Sequence, residues 1–331
     1  MIFPLLTTRF LSFLIVGKKR KIYIKSEPEF ALRKMRNRQF AILAVLLILV
    51  FSFGCGSIGG NGGTTVQGES FHTGTSAIKL KFMPNSPPSV MDDGQTYFFS
   101  LEITNIGAYT TSPHIFLTGH DTNIIRLSSW NNRIVGPING KDENYPQGGY
   151  SLIEDQVPIV LPPESESYPT TLKLTACYPY STEANIPICV DPDPTNNRDD
   201  ACISKSVSTS GGQGGPIAVT MVVPNSNRGQ ASFSIKIQNL GDGDVILPGK
   251  VDSCLSRLSP MEMDVVQITG ARLGTNQLVC TPTTIRLSNK VGTTTCKGAI
   301  SAASSFTSNL ILDMDYGYKN SILTPVSVRR V

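Results

Sequence analysis

Tyr97-Phe-Phe-Ser-Leu-Glu-Ile-Thr-Asn-Ile-Gly107 and Ala231-Ser-Phe-Ser-Ile-Lys-Ile-Gln-Asn-Leu-Gly241 are one design written twice. Alternate residues are apolar in both: Tyr97, Phe99, Leu101 and Ile103, then Phe233, Ile235 and Ile237. That period of two predicts a strand with one buried face. Each stretch then breaks at Asn-x-Gly, residue types that accept the backbone of a turn. A second echo follows. Leu172-Lys-Leu-Thr-Ala-Cys-Tyr-Pro-Tyr180 lies over Leu310-Ile-Leu-Asp-Met-Asp-Tyr-Gly-Tyr318, and Pro187 falls opposite Pro325. The duplication predicts an all-β chain of two tandem sandwiches, each closed by a late hairpin.

Working outward, the chain of 331 residues is long enough for two repeats that each bury a core. Gly (29) and Pro (22) are frequent and charged residues make up only 16%, which suits a turn-rich β protein. The net charge of +4 is unevenly placed. Residues 1–54 hold 10 Lys/Arg and 2 Asp/Glu, a balance of +8 that leaves −4 for the remainder. The basic charge therefore belongs to the N-terminal leader, and the rest lacks the electrostatic footprint of a nucleic-acid binder.

Met35-Arg-Asn-Arg-Gln39 precedes the apolar run Phe40–Phe53 and then Gly54-Cys55-Gly56. A basic segment, a short apolar run and small residues describe a secretory signal. Gly54-Cys55 resembles a lipoprotein junction, in which Cys55 becomes the lipidated first residue, although Ser52 and Phe53 depart from that pattern. An uncleaved anchor over 40–58 and simple cleavage are the alternatives. Met1–Val16 is a further apolar run followed by Lys18-Lys-Arg-Lys21, so translation starts at Met1, with two membrane segments, or at Met35. All these readings place most of the chain outside the cytoplasm, and the lipidated and uncleaved forms anchor it to the membrane by its N-terminus.

The predicted organisation is a leader over 1–55, a Gly-rich tether over 56–76, a first domain over 77–205, a Gly/Ser linker over 206–216 and a second domain over 217–331. The first domain carries an insertion over 126–152. Six cysteines outside the leader read as disulfides in an oxidising compartment. Cys177 and Cys189 flank the expected last hairpin of the first copy, and both are missing at their counterparts Asp315 and Ser327, which predicts Cys177–Cys189. Cys280 and Cys296 flank a turn and predict a second bridge. Elimination leaves Cys202–Cys254 as a clamp between domains.

With these strands, Tyr-x-Tyr segments and leader in view, the chain resembles tandem immunoglobulin-like extracellular modules, in particular the CARDB-like adhesion domains of archaeal and bacterial surface proteins. Asn105-Ile-Gly107, Asn239-Leu-Gly241 and Leu161-Pro-Pro-Glu-Ser-Glu166 carry the likeness. It implies sandwiches of seven or eight strands and supplies no catalytic residues. Tyr178 and Tyr316 stand where such sandwiches place a tyrosine corner.

Chemistry-bearing patterns are sparse. No Gly-x-Ser-x-Gly elbow, His-Glu-x-x-His helix or phosphate-cradling loop occurs, and the chain reads as non-enzymatic with no cofactor. His72, His114 and His120 are scattered, with His120-Asp121 the one conceivable pair of metal ligands. Asp191, Asp193, Asp199 and Asp200 form the single acidic cluster and are candidate calcium ligands, without the spacing of an EF-hand. Trp130, Tyr145 and Tyr150 in the insertion combine aromatic rings with amides and turns, a mixture suited to contact with a protein or surface polymer. The alternative for Trp130 is a plug in the core. The expected function is a non-catalytic, membrane-anchored surface protein for structure, adhesion or partner binding. The alternative is an envelope solute- or calcium-binding accessory of a transporter or filament.

Overall fold

A computed structural model describes residues 71–193 and 201–331. Cys55, the leader, most of the tether, Asp199 and Asp200 lie outside the described residues. The first half contributes β1 (Ile78–Phe82), β2 (Val90–Asp92), β3 (Thr96–Asn105), β4 (His114–Thr118), β5 (Asn131–Ile134), β6 (Tyr150–Pro158) and β7 (Ser167–Val190). The second half follows with β8 (Val207–Ser208), β9 (Ile217–Pro224), β10 (Gln230–Asn239), β11 (Asp244–Ile246), β12 (Val265–Leu273), β13 (Asn276–Gln277), β14 (Val279–Thr281), β15 (Thr284–Arg286), β16 (Val291–Ala299) and β17 (Phe306–Arg329). Short 3-10 turns at Pro248–Ser253 and Pro260–Glu262 are its only helical pieces among the described residues. The molecule is all-β and sandwich-like, as the alternation predicts.

The two repeated stretches become β3 and β10. β3 is flanked by β1 and β6, and β10 by β9 and β16, so each copy builds the same small antiparallel sheet. The match is residue by residue: Ile78 stands opposite Asn105, and Ile217 opposite Asn239. Phe99, Leu101 and Ile103, with Phe233, Ile235 and Ile237, are fully buried on the inner faces.

β7 and β17 overturn the expected hairpins. Each runs for 24 residues, about 80 Å at the usual rise, and the two pair antiparallel from end to end. Tyr178 faces Tyr318 and Tyr180 faces Tyr316, so a pseudo-twofold axis passes through the Pro179–Gly317 pair. Even-numbered residues from Leu172 to Val190, and Leu310 to Tyr318 with Val326 and Val328, are buried on one face. Both small sheets contribute to the same continuous core as these residues.

The consequence is an exchange of strand ends. The C-terminal end of β17 pairs in parallel with β2, where Ser327 lies opposite Val90, and the Asn320 side chain donates to the Ile78 carbonyl of β1 at 2.8 Å. The last strand of the second half thereby completes the first. Conversely, the end of β7 pairs with the β17 segment that β12 flanks, inside the second half. Two separately cored domains joined by a linker are therefore replaced by one compact unit over residues 67–331. The expected linker at 206–216 holds β8, which pairs with β9, and Gly211 accepts a hydrogen bond from Gly74 at 2.9 Å.

The six cysteines form three disulfides, with two partners redistributed. Cys280–Cys296 is present between directly opposed residues of β14 and β16. Cys177 and Cys189 lie on the same uninterrupted strand, about 40 Å apart along it, and cannot meet. Cys177 instead bonds Cys254, and Cys189 bonds Cys202. The clamp between halves exists, but Cys177 supplies its first-half end in place of Cys202. Cys177 and Cys254 sit with Phe116, Ile246 and Val251 in a small second core.

Candidate functional site

The seam between the halves is floored by four tyrosines. The rings of Tyr178, Tyr180, Tyr316 and Tyr318 form a closed circuit with neighbouring centroids 5.9, 6.2, 6.4 and 6.0 Å apart, within the range of favourable aromatic pairs. They arise from the alternation of β7 and β17, which turns the even positions of both strands inward. Each hydroxyl then finds a partner, as a buried hydroxyl must.

The Asn-x-Gly turns supply half of those partners. Asn105 accepts from Gly107 N–H at 3.1 Å and donates to the Tyr109 carbonyl at 2.7 Å, while Tyr180 accepts from Tyr109 N–H at 3.1 Å. In the copy, Asn239 accepts from Gly241 N–H at 3.0 Å and donates to the Gly243 carbonyl at 2.9 Å. Tyr318 accepts from Gly243 N–H at 2.8 Å and donates to Asn239 at 3.2 Å. Tyr178 takes the N–H of Ile78 at the start of β1, and Tyr316 bonds Thr182 at 2.7 Å. The corner role expected of Tyr178 and Tyr316 thus falls to the second tyrosine of each pair, because Tyr180 and Tyr318 lie under the turns. Burial pushes all four phenols up, Tyr318 to about 12, and raises Tyr109 beside them to about 12.

Symmetry fails at one place. Tyr109 and Gly243 occupy equivalent positions, four residues after each turn asparagine. The Tyr109 ring fills its side of the seam, and its hydroxyl receives the Glu183 N–H at 2.8 Å and lies 3.1 Å from His72 Nδ1. Gly243 leaves the other side open, and a Cβ there would meet the Lys319 carbonyl at 2.3 Å and the Tyr318 ring at 2.7 Å. The result is a cleft of about 660 Å³ whose walls include Leu80, Lys173, Tyr178, Asp242, Tyr318 and Asn320. The Asn320 Oδ1 atom is buried without a hydrogen-bond partner among the described residues. Lys79 and Lys319 also border the space, and Lys319 lies 3.4 Å from Asp244. Mixed charge, the Asn320 amide and the rings of Tyr178 and Tyr318 suit a polar occupant.

The structure withdraws Trp130 from the contact surface. It is fully buried, stacked 6.3 Å from Phe82, and its Nε1 donates to Asp155 at 2.6 Å. Asp155 also receives Ser129 at 2.9 Å and Arg133 at 2.6 Å. Asp155 occupies the position that Cys296 holds in the copy, since Phe99 faces Asp155 and Phe233 faces Cys296. One copy thus pins the neighbouring segment with a carboxylate, the other with a disulfide. Tyr145 and Tyr150 are 45% and 74% exposed, so both remain available to a partner.

The candidate calcium ligands are only partly visible. Asp193 N–H donates to Asp191 at 2.9 Å, and Asp193 pairs with Arg228. No group of three or more His, Cys, Asp or Glu side chains among the described residues is arranged to hold a metal. His114 lies between Asn132 at 2.8 Å and Asp252 at 3.3 Å, while burial lowers the pKa of His120. The residues that sequence reasoning missed are Tyr109 and Gly243. The signal was present: continuing the two copies past Gly107 and Gly241 sets a tyrosine against a glycine. No protein-family model matches the chain, and no curated protein matches it.

Proposed function

We propose that this chain is a non-catalytic, membrane-anchored cell-surface protein serving structure, adhesion or partner binding, allied to CARDB-like extracellular modules. The observation that carries the reading is the exchange of strand ends under a disulfide clamp, which makes the folded region a rigid carrier for exposed groups. Three disulfides fit an oxidising, extracytoplasmic environment. The anchor is proposed to lie in the leader, with Cys55 as the lipid attachment point or with 40–58 as an uncleaved span. Among the described residues no helix is long and apolar enough to cross a membrane.

Tyr145 and Tyr150 are the proposed contact residues. Exchanging 141–149 for a Gly-Ser loop, together with Tyr150→Ser, and measuring adhesion of cells displaying the protein tests this. Lost adhesion with unchanged Trp130 emission supports the contact, and unchanged adhesion removes it. The second reading is an envelope accessory that binds a solute or calcium. The open cleft at the seam favours the solute form. Calorimetry with calcium that gave neither heat nor a melting shift would remove the calcium form.

A further inference from the structure

The cleft carries charges that the filled side of the seam lacks. The pseudo-twofold axis through the Pro179–Gly317 pair gives each residue of one half a counterpart in the other. Lys173, six residues before Pro179, corresponds to Ile311, six before Gly317. Lys79 faces Thr104 as Ala218 faces Gln238, so those two correspond as well. Asp242 and Ala108 each follow their turn asparagine by three residues. Three charged residues therefore line the open side where the filled side has Ile311, Ala218 and Ala108. The filled side is apolar at all three positions.

A buried polar group differs in the same sense. Asn320 corresponds to Thr182, each three residues beyond the axis pair. Thr182 is satisfied inside the protein, since its hydroxyl bonds that of Tyr316 at 2.7 Å. Asn320 is satisfied only in part. Its Nδ2 donates to the Ile78 carbonyl at 2.8 Å, while the buried Oδ1 atom has no partner among the described residues. Buried acceptors in native proteins are nearly always paired, so this oxygen calls for an N–H or O–H donor. Nearby, Lys319 is held by Asp244 at 3.4 Å, whereas Lys79, Lys173 and Asp242 enter no ion pair among the described residues. Leu80, Ile106 and Ile322 add apolar lining to the same cleft.

These groups specify a class of ligand. The two lysines ask for a carboxylate, Asp242 for a cation, Asn320 for a hydrogen-bond donor and the apolar lining for a hydrocarbon side chain. A bare ion answers only one of these demands, and a sugar acid leaves Asp242 unanswered. The volume of about 660 Å³ lies in the range that encloses an organic molecule. We propose that the cleft binds a short zwitterionic peptide, its carboxylate at Lys79 and Lys173, its ammonium at Asp242 and an N–H at Asn320 Oδ1. The inference rests on the solute-binding reading and names the solute.

Titration calorimetry of the full-length chain tests this with the dipeptide leucylalanine, its N-acetyl and C-amide forms, free leucine and glucuronic acid. Heat is expected from leucylalanine, with affinity at least about tenfold lower for each capped form, the factor one charge-assisted hydrogen bond supplies. Lys79, Lys173 and Asp242 are exposed, so K79Q/K173Q and D242N keep the fold. The first should abolish the preference for a free carboxylate and the second the preference for a free ammonium. Asn320→Leu should lower affinity at least about tenfold; should Trp130 emission show it misfolded, the two rim variants decide alone. Capped forms that bind as tightly as leucylalanine, or an affinity unchanged in both rim variants, overturn the proposal. Tighter binding of free leucine or glucuronic acid overturns the peptide and keeps the solute-binding reading, whereas no heat from any of the five compounds overturns both.

Discussion

Truncating two valines near the C-terminus should destabilise the half of the protein to which they do not belong in sequence. Val326 and Val328 are 4% and 0% exposed, at the end of β17 that pairs with β2. Each Val→Ala change removes two methyl groups, about 1.6 kcal/mol of transfer free energy at 0.8 kcal/mol per carbon, plus a cavity contribution. The pair should therefore cost about 4 kcal/mol, allowing for some shared relaxation. For a unit of this size that lowers the melting temperature by about 10 °C. The assay is the emission of Trp130, the sole tryptophan, which lies in the first-half core and bonds Asp155. Coincidence of the emission and circular-dichroism transitions checks that unfolding is two-state. A V326A/V328A variant whose Trp130 transition stayed within about 2 °C of the parent would refute the exchange of strand ends, since about 4 kcal/mol of lost packing moves it several-fold further.

Three further outcomes follow from the geometry. Replacing Cys177 and Cys254 together by alanine opens a closure of 77 residues and should cost about 4.5 kcal/mol in the chain-entropy picture, read from the denaturant midpoint. A loss below about 1 kcal/mol would show that the clamp contributes little. Asn105→Ala and Asn239→Ala each strip a buried turn of its central bonds and should each cost about 2 kcal/mol; strongly unequal losses would contradict the equivalence of the two turns. Above pH 10 the protein should lose stability steeply. Burial holds the folded phenol of Tyr318 at about 12 against an ordinary 10.0 and raises Tyr178, Tyr180 and Tyr316 too. The unfolded chain therefore releases protons first, and the stabilisation present below pH 10 is lost as pH rises towards 12. An ultraviolet phenolate titration that showed these tyrosines ionising at pH 10 in the folded protein would contradict this.

The repeated alternation placed β3 and β10 within a residue or two, because one buried face imposes a period that sequence displays directly. The hairpins failed for an equally physical reason. Pro169, Pro179, Pro187 and Pro325 look like strand breakers, but all stand at odd positions. The Ser327 N–H reaches Ser89 and the Arg330 N–H reaches Glu166, so odd positions face away from the β7–β17 seam and proline removes no bond from it. The mistaken Cys177–Cys189 pairing followed from that hairpin. Of the site, the Asn-x-Gly turns and Tyr-x-Tyr pairs were visible as repeats, but their convergence depends on register between strands over a hundred residues apart. The cleft was invisible because it results from Tyr109 and Gly243 differing within otherwise equal frames.

The exchanged ends of β7 and β17 also constrain the order of assembly. Residues 319–329 leave the ribosome well after the strands of the first half, yet they complete the sandwich that begins at Ile78. The early half therefore waits, unfinished and with its core uncovered, until synthesis has delivered the C-terminal end of β17. A chain arrested anywhere before it would present that unfinished half to proteases and chaperones.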